Sequence, residues 1–256
     1  MIRVIMHGCN GTMGQTVTRI VAAEPDMEIV AGIDASNAIQ NTYPLFSKIS
    51  DCDVEADVII DFCAAPAVDA LLAYSVEKQI PCVLCTTGLS KEQLEAVEEA
   101  ATKVAILKSA NMSLGVNTLL KLLKEAAGVF APAGFDIEIV EKHHNQKVDA
   151  PSGTALALAD AINEEMNHEY TYVYDRSQVR EKRSDKEIGI SAVRGGTIVG
   201  DHDVIFAGID EVITFSHRAY SKAVFAKGAV SAAKFLAGKP AGRYEMSDVI
   251  DAEMNA

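Results

Sequence analysis

Apolar positions along this chain follow two different rhythms. Up to about residue 110, short apolar runs at 2–6, 28–33, 57–61, 80–85 and 104–107 alternate with segments of helical period at 12–23, 67–78 and 90–101. Strand and helix in turn at this spacing predict an α/β fold, a doubly wound parallel sheet with helices on both faces. Ligands of such sheets bind outside the carboxyl ends of the strands. Three strand ends therefore become candidates: Asp61-Phe62, Cys85-Thr86-Thr87-Gly88 and Ser109-Ala110-Asn111-Met112.

Beyond about residue 113 the pattern changes. A helix is expected over 116–127, a strand over 136–141 with acidic residues alternating against apolar ones, and a helix over 153–166. Longer alternating stretches follow at 188–194, 200–208 and 210–217, which predict a mixed or antiparallel sheet with helices to one side. Residues 172–185 are charged and without period, so they read as a solvated loop. A final helix over 221–236 leads to a Pro/Gly break at 238–242, with Val249-Ile250 in a short tail.

The opening strand Ile2-Arg3-Val4-Ile5-Met6 runs into Gly8-Cys9-Asn10-Gly11-Thr12-Met13-Gly14. The glycines are spaced G-x-x-G-x-x-G, one residue off the common dinucleotide pattern, and the physics is the same. Gly8 allows a tight turn, Gly11 lets backbone approach a pyrophosphate, and Gly14 lets the helix pack close. The second strand ends at Asp34, about twenty residues on, where a ribose-binding carboxylate is expected.

A second constellation lies at 141–155, Glu-Lys-His-His-Asn-Gln-Lys-Val-Asp-Ala-Pro-Ser-Gly-Thr-Ala. His143, His144 and Lys147 sit just ahead of a helix start, whose unpaired N–H groups hold carboxylate or phosphate. Such a site suits a small, multiply anionic substrate that is protonated as it reacts. Ser152 reads in two ways: its backbone N–H, with those of Gly153 and Thr154, clasps a carboxylate, or its side chain caps the helix.

Composition narrows the choice of partner. The 256 residues are 49% apolar and 23% charged, ordinary for a globular chain. The net charge of −13 argues against a nucleic-acid surface and makes a local cluster of His143, His144 and Lys147 the place for an anion. No apolar run has the length of a membrane span and no secretory leader precedes Ile2, so a cytoplasmic location without a membrane partner is expected. Five cysteines in such a chain predict no disulfide framework. Cys82-Val83-Leu84-Cys85 matches C-x-x-C, but it falls in an apolar strand and reads as buried structure; no metal site is expected.

Together the His-His…Lys…Pro-Ser-Gly-Thr segment and the Gly-Cys-Asn-Gly-Thr-Met-Gly turn resemble the 4-hydroxy-tetrahydrodipicolinate (dihydrodipicolinate) reductase family of diaminopimelate and lysine biosynthesis. The resemblance runs on through Asp61-Phe62, Thr86-Thr87-Gly88, Asn111, Arg194-Gly195-Gly196 and His217. It implies a Rossmann-like dinucleotide domain over 1–113, with 222–256 packing back on it, and an α+β domain with a mixed sheet over 114–221 for substrate binding and tetramerisation. It implies an NAD(P)H-dependent oxidoreductase acting on a cyclic dicarboxylate, assembled as a homotetramer. By position, His143 matches the proton donor/acceptor and Lys147 the proton donor, with His144, Gly153 and Thr154 at the substrate. Gly8, Cys9, Asn10, Gly11, Thr12, Met13, Asp34, Phe62, Cys85, Thr86, Thr87, Ser109, Ala110, Asn111 and Met112 match cofactor positions.

Three positions depart from the family pattern. Cys85 stands for a usual glycine, and Met112 for a frequent aromatic. Asp34 is followed by Ala35-Ser36-Asn37, without the arginine that favours a 2′-phosphate, so NADH is expected to serve at least as well as NADPH.

Overall fold

The computed structural model describes residues 1–109, 111–178 and 180–254. Along the chain come β1 (Ile2–His7), α1 (Thr12–Val21), β2 (Met27–Ile33), β3 (Leu45–Phe46), β4 (Val58–Asp61), α2 (Val68–Lys78), β5 (Cys82–Leu84), α3 (Lys91–Ala101), β6 (Ala105–Leu107), α4 (Leu114–Phe130), β7 (Asp136–His143), α5 (Gly153–Glu165), β8 (Thr171–Tyr174), β9 (Glu187–Arg194), β10 (Gly200–Ala207), β11 (Val212–Ala219), α6 (Ala223–Leu236), β12 (Gly242–Tyr244) and α7 (Met246–Met254). They fall into two compact units, Met1–Leu114 with Ala223–Ala256, and Gly115–Lys222. No helix among the described residues is long and apolar enough to cross a membrane.

The first unit is a seven-stranded sheet ordered β12-β6-β5-β4-β1-β2-β3, with every pairing parallel. Successive residues of each central strand serve opposite faces. Val4 and Met6 join Val58, Ile60 and Val83 in a core with residues of α1, α6 and α7; Ile5, Ile59, Cys82 and Leu84 join a second core with residues of α2 and α3. A strand buried on both sides needs apolar residues at consecutive positions, which is why these runs are unbroken. Each fully buried Ile, Val or Leu contributes roughly 1.5–3 kcal/mol of transfer free energy. Helix α3 starts where Ser90 accepts from the Gln93 N–H and the Gln93 side chain accepts from the Ser90 N–H, a reciprocal cap.

The second unit carries a five-stranded sheet ordered β11-β10-β7-β9-β8. β10 runs antiparallel to both β7 and β11, whereas β7, β9 and β8 are mutually parallel. One face packs against α4 and α5 through Ile137, Ile139, Val204, Phe206, Leu123 and Leu158. Along β7 alternate residues are buried: Ile137, Ile139, Glu141 and His143. Two polar side chains thus continue an apolar row, and they begin the site described below.

The structure adds elements to the sequence reading. β3 and β12 are only two and three residues long. β8 occupies part of the stretch read as a loop; its residues alternate little in burial, as befits an edge strand. The residues read as a tail form α7, anchored by buried Met246, Val249 and Ile250. The C-x-x-C pair lies in and just after β5, with both thiols pushed up by burial, consistent with packing rather than redox work.

Candidate functional site

The glycine turn closes on the end of β1. Gly8 has φ +82, and a side chain there would meet the Phe62 carbonyl oxygen at 2.7 Å, so only glycine fits. A Cβ at Gly14 would lie 2.1 Å from the Gly8 oxygen, which shows how closely α1 approaches the strand. Gly11 is the N-cap of α1 and offers no side-chain cap, so the first turn at Thr12 and Met13 presents its N–H groups outward. Cys9 is fully buried and contributes backbone. Asn10 donates its N–H to Asp34 at 2.9 Å, and Ser36 donates to the other Asp34 oxygen at 2.9 Å, which fixes the carboxylate at the end of β2. An uncapped helix start, a cradle that a Cβ would fill and a fixed carboxylate suit a dinucleotide's pyrophosphate and ribose.

Behind the turn lies a buried polar cluster. Asp61, fully buried at the end of β4, accepts from His7 Nδ1 at 2.7 Å and from the Thr86 hydroxyl at 2.5 Å. Burial alone would lower the His7 pKa, but hydrogen bonds to Asp61 and Cys63 outweigh it and lift it to about 9. Thr86 is therefore engaged inward, leaving its backbone for any ligand. Phe62 and Cys85 are partly buried against the same core as Met112, Thr87 is exposed, and Ser109 is half-buried after β6. The Asn111 side chain accepts from the Ser113 N–H at 2.8 Å. Ala110 lies outside the described residues.

In the second unit His143 and Ser152, two of the residues singled out around 143–154, meet at Glu141. This carboxylate is fully buried. Its Oε2 lies 2.6 Å from His143 Nδ1, and Arg194 grips both oxygens at 2.7 Å. The backbone N–H of Ser152 adds a fourth hydrogen bond at 2.9 Å. Desolvation would raise the Glu141 pKa, but Arg194, His143 and the Ser152 N–H together hold it below the usual range. An ionised carboxylate only accepts, so His143 Nδ1 carries the proton and Nε2 is left for chemistry. That nitrogen lies over Gly200 of β10, where a Cβ would come within 3.0 Å of it.

Ser152 resolves toward the cap. Its hydroxyl accepts from the Ala155 N–H at 3.1 Å and meets His202 Nε2 at 2.9 Å, while its own N–H is spent on Glu141. It anchors α5 instead of offering a donor outward, a correction to the clasp reading. Gly153 is exposed, with nothing within 4 Å of a Cβ built on it, so the helix start opens onto free space there. Thr154 follows, half-buried. His144 is half-buried and its carbonyl accepts from the Lys147 N–H at 3.2 Å, a turn that brings the two side chains to one loop. Lys147 Nζ pairs with Asp149 at 2.8 Å, and the Asp149 carbonyl accepts from Arg194 at 2.6 Å. Lysine, arginine, glutamate and histidine thus form one connected network.

Sequence reading missed Glu141, Arg194 and His202 as members of this site. The signal for Glu141 was present, because it occupies the inward phase of β7. His202 faces Glu141 across the β7–β10 pairing, and burial, with His143 nearby, lowers its pKa to about 4. Its imidazole is therefore neutral near pH 7.

Family models for dihydrodipicolinate reductase match both halves, the N-terminal model over residues 2–112 and the C-terminal one over 115–250. The chain is 54% identical over 250 residues to the 4-hydroxy-tetrahydrodipicolinate reductase of Caldanaerobacter subterraneus subsp. tengcongensis, covering 98% of each. It is 49% identical over 251 residues to the enzyme of that name from Clostridium tetani, again covering 98% of each. Among solved structures it resembles dipicolinate-bound dihydrodipicolinate reductase from Paenisporosarcina sp. TG-14, with a TM-score of 0.81 and 25% identity over 96% of this chain and 97% of that one. DAP dehydrogenase from C. glutamicum shares the fold, with a TM-score of 0.56 at 13% identity over 97% of this chain and 95% of that one. With both family models matched along nearly its whole length, the chain belongs to the dihydrodipicolinate reductase family.

Proposed function

We propose that this chain reduces 4-hydroxy-tetrahydrodipicolinate to tetrahydrodipicolinate in the diaminopimelate and lysine pathway, with NADH or NADPH as reductant. The observation that carries the reading is the match of both family models, one over each half of the chain. In this reading Met1–Leu114 with Ala223–Ala256 binds the dinucleotide, and Gly115–Lys222 binds the substrate and forms a homotetramer in the cytoplasm.

The nicotinamide, when bound, supplies a hydride. The residues of the second unit supply the rest. The start of α5 at Gly153 and Thr154, with His144, binds a substrate carboxylate through backbone N–H groups and a side-chain donor. Lys147 delivers a proton to the atom left electron-rich by reduction, a task for a compact ammonium. His143 holds or accepts a proton at Nε2, because Glu141 fixes its other nitrogen as a donor. Arg194 keeps Glu141 ionised and in register.

A direct assay mixes purified protein with NADH and the condensation product of pyruvate and aspartate semialdehyde. Loss of NADH absorbance that depends on both protein and condensation product supports the reading. A flat trace over a range of enzyme concentrations rejects it.

A further inference from the structure

The cluster behind the glycine turn does more than brace the strands. His7, Asp61 and Cys63 bring a ring nitrogen, a carboxylate oxygen and a thiol sulfur within 4.8 Å of one another. Asp61 holds His7 by the 2.7 Å hydrogen bond and also accepts from the Cys63 N–H at 3.2 Å. Thr86 occupies its second oxygen. The three groups stand as a cluster, with Asp61 holding the imidazole in place and a ring nitrogen within 4.8 Å of the sulfur, where a cationic ring favours the thiolate.

Placement gives this arrangement a target. Cys63 is partly exposed and lines a cavity of about 430 Å³ together with His7, Asp34 and Lys48. Its sulfur comes within 3.2 Å of a Cβ built on Gly8, against the turn that would carry the pyrophosphate. Cys9, Cys52 and Cys82 are buried. Cys85 is partly exposed, but burial of its thiol pushes its pKa well up.

We propose that Cys63 is a reactive thiol, activated by His7 and Asp61, and that disulfide exchange at this position closes the dinucleotide cavity. The co-reactant is a small disulfide. The Cys63 thiol gives its proton to solvent and the neighbouring imidazolium stabilises the thiolate. The sulfur attacks one sulfur of the small disulfide, their bond forms, the old sulfur–sulfur bond breaks, and the second sulfur leaves as a thiolate that takes up a proton. Cys63 is oxidised and half of the small disulfide is reduced. The added group then fills space beside Gly8 and Asp34. The lifted pKa of His7 supports the chemistry, since it keeps the ring cationic near neutrality.

The blocking step depends on the reading that this cavity takes the dinucleotide, and the test separates the two. Full-length protein is exposed to glutathione disulfide with and without NADH, and each cysteine's modification is followed by peptide mass spectrometry. The expected order is Cys63 first, at least about tenfold faster than Cys85. NADH slows Cys63 modification, modified protein loses NADH binding by fluorescence, and Cys63→Ser protein binds NADH equally before and after exposure. His7→Gln, checked for folding by its melting curve, slows Cys63 without changing Cys85. Equal rates at Cys63 and Cys85 in the wild type overturn the activated thiol, with no variant required. A fast Cys63 that NADH does not protect overturns the cavity assignment and leaves the activated thiol standing.

Discussion

The Glu141 carboxylate lies 2.6 Å from His143 Nδ1, and the two side chains share the buried face of β7 two residues apart. Strand geometry makes this contact, because residues i and i+2 point the same way. The pair fixes the tautomer of the histidine, and Arg194 prevents the carboxylate from being neutralised by burial.

Replacing Glu141 separates positioning from binding. Glu141→Gln keeps the shape but leaves the half-buried Arg194 without its charge partner, at a cost of about 1–3 kcal/mol in stability. The expected kinetic effect is a kcat roughly tenfold lower or more, with KM for the dicarboxylate little changed and a different pH profile of kcat. Adding Arg194→Met should recover stability without recovering kcat. Denaturant unfolding and steady-state kinetics of the single and double variants check this, and a KM effect without a kcat effect would contradict it.

Gly200 is the space into which the His143 ring fits. In Gly200→Ala the new methyl would stand 3.0 Å from Nε2, so the ring must tilt. A kcat loss of about tenfold is expected, with little change in melting temperature. In a His143→Ala background the same substitution should cost almost nothing, because the clash has gone. Equal losses in both backgrounds would place the effect elsewhere.

Two histidines shape stability against pH in opposite senses. The His7 pKa rises from 6.5 to about 9 on folding, so its contribution is fully present below 6.5 and is lost as pH rises to 9. The His202 pKa falls from 6.5 to about 4, chiefly by burial, so its neutral form favours folding above 6.5 and that advantage is lost as pH falls toward 4. For His7 the shift corresponds to roughly 3 kcal/mol. Melting temperatures from pH 4 to 10 should form a dome whose alkaline limb flattens in His7→Gln and whose acid limb flattens in His202→Gln. Unchanged limbs in the variants would contradict the assignment.

In the proposed reading, Asp34 sets the cofactor preference. Its two oxygens are held by the Asn10 and Ser36 N–H groups and would face two ribose hydroxyls more readily than a 2′-phosphate. Lys48 lines the same cavity as Asp34, so its charge is expected to favour a 2′-phosphate. NADH is expected to be used at least as well as NADPH, and Lys48→Ala should weaken NADPH more than NADH. Measured kcat/KM for both cofactors checks this; an NADPH preference of about a hundredfold would refute it.

Much of this was legible from residue order. Unbroken apolar runs such as Ile2 to Met6 announced strands buried on both faces, and Gly8 and Asp34 announced the turn and the strand end. The short strands β3 and β12 were not legible, because two or three residues carry no period. β8 lies at a sheet edge, where one free side relaxes the pattern. The parallel pairing of β7 with β9 depends on tertiary contacts, not on local sequence. Glu141 was overlooked because an acid in an alternating strand reads as the solvent-facing phase; here it is the inward residue, its charge matched by Arg194 from a strand fifty residues on. Ser152 fits two local roles, and only the position of Glu141 and His202 decides for the cap.

In the proposed reaction Lys147 delivers a proton as the bound dicarboxylate is reduced. The most direct measurement is the single-turnover rate of NADH loss, with the pyruvate–aspartate semialdehyde condensation product saturating, for wild type and Lys147→Ala side by side, together with NADH affinity by fluorescence. The expected rate is lower by about two orders of magnitude or more in the variant, with NADH affinity nearly intact. Equal rates in the two proteins would contradict it.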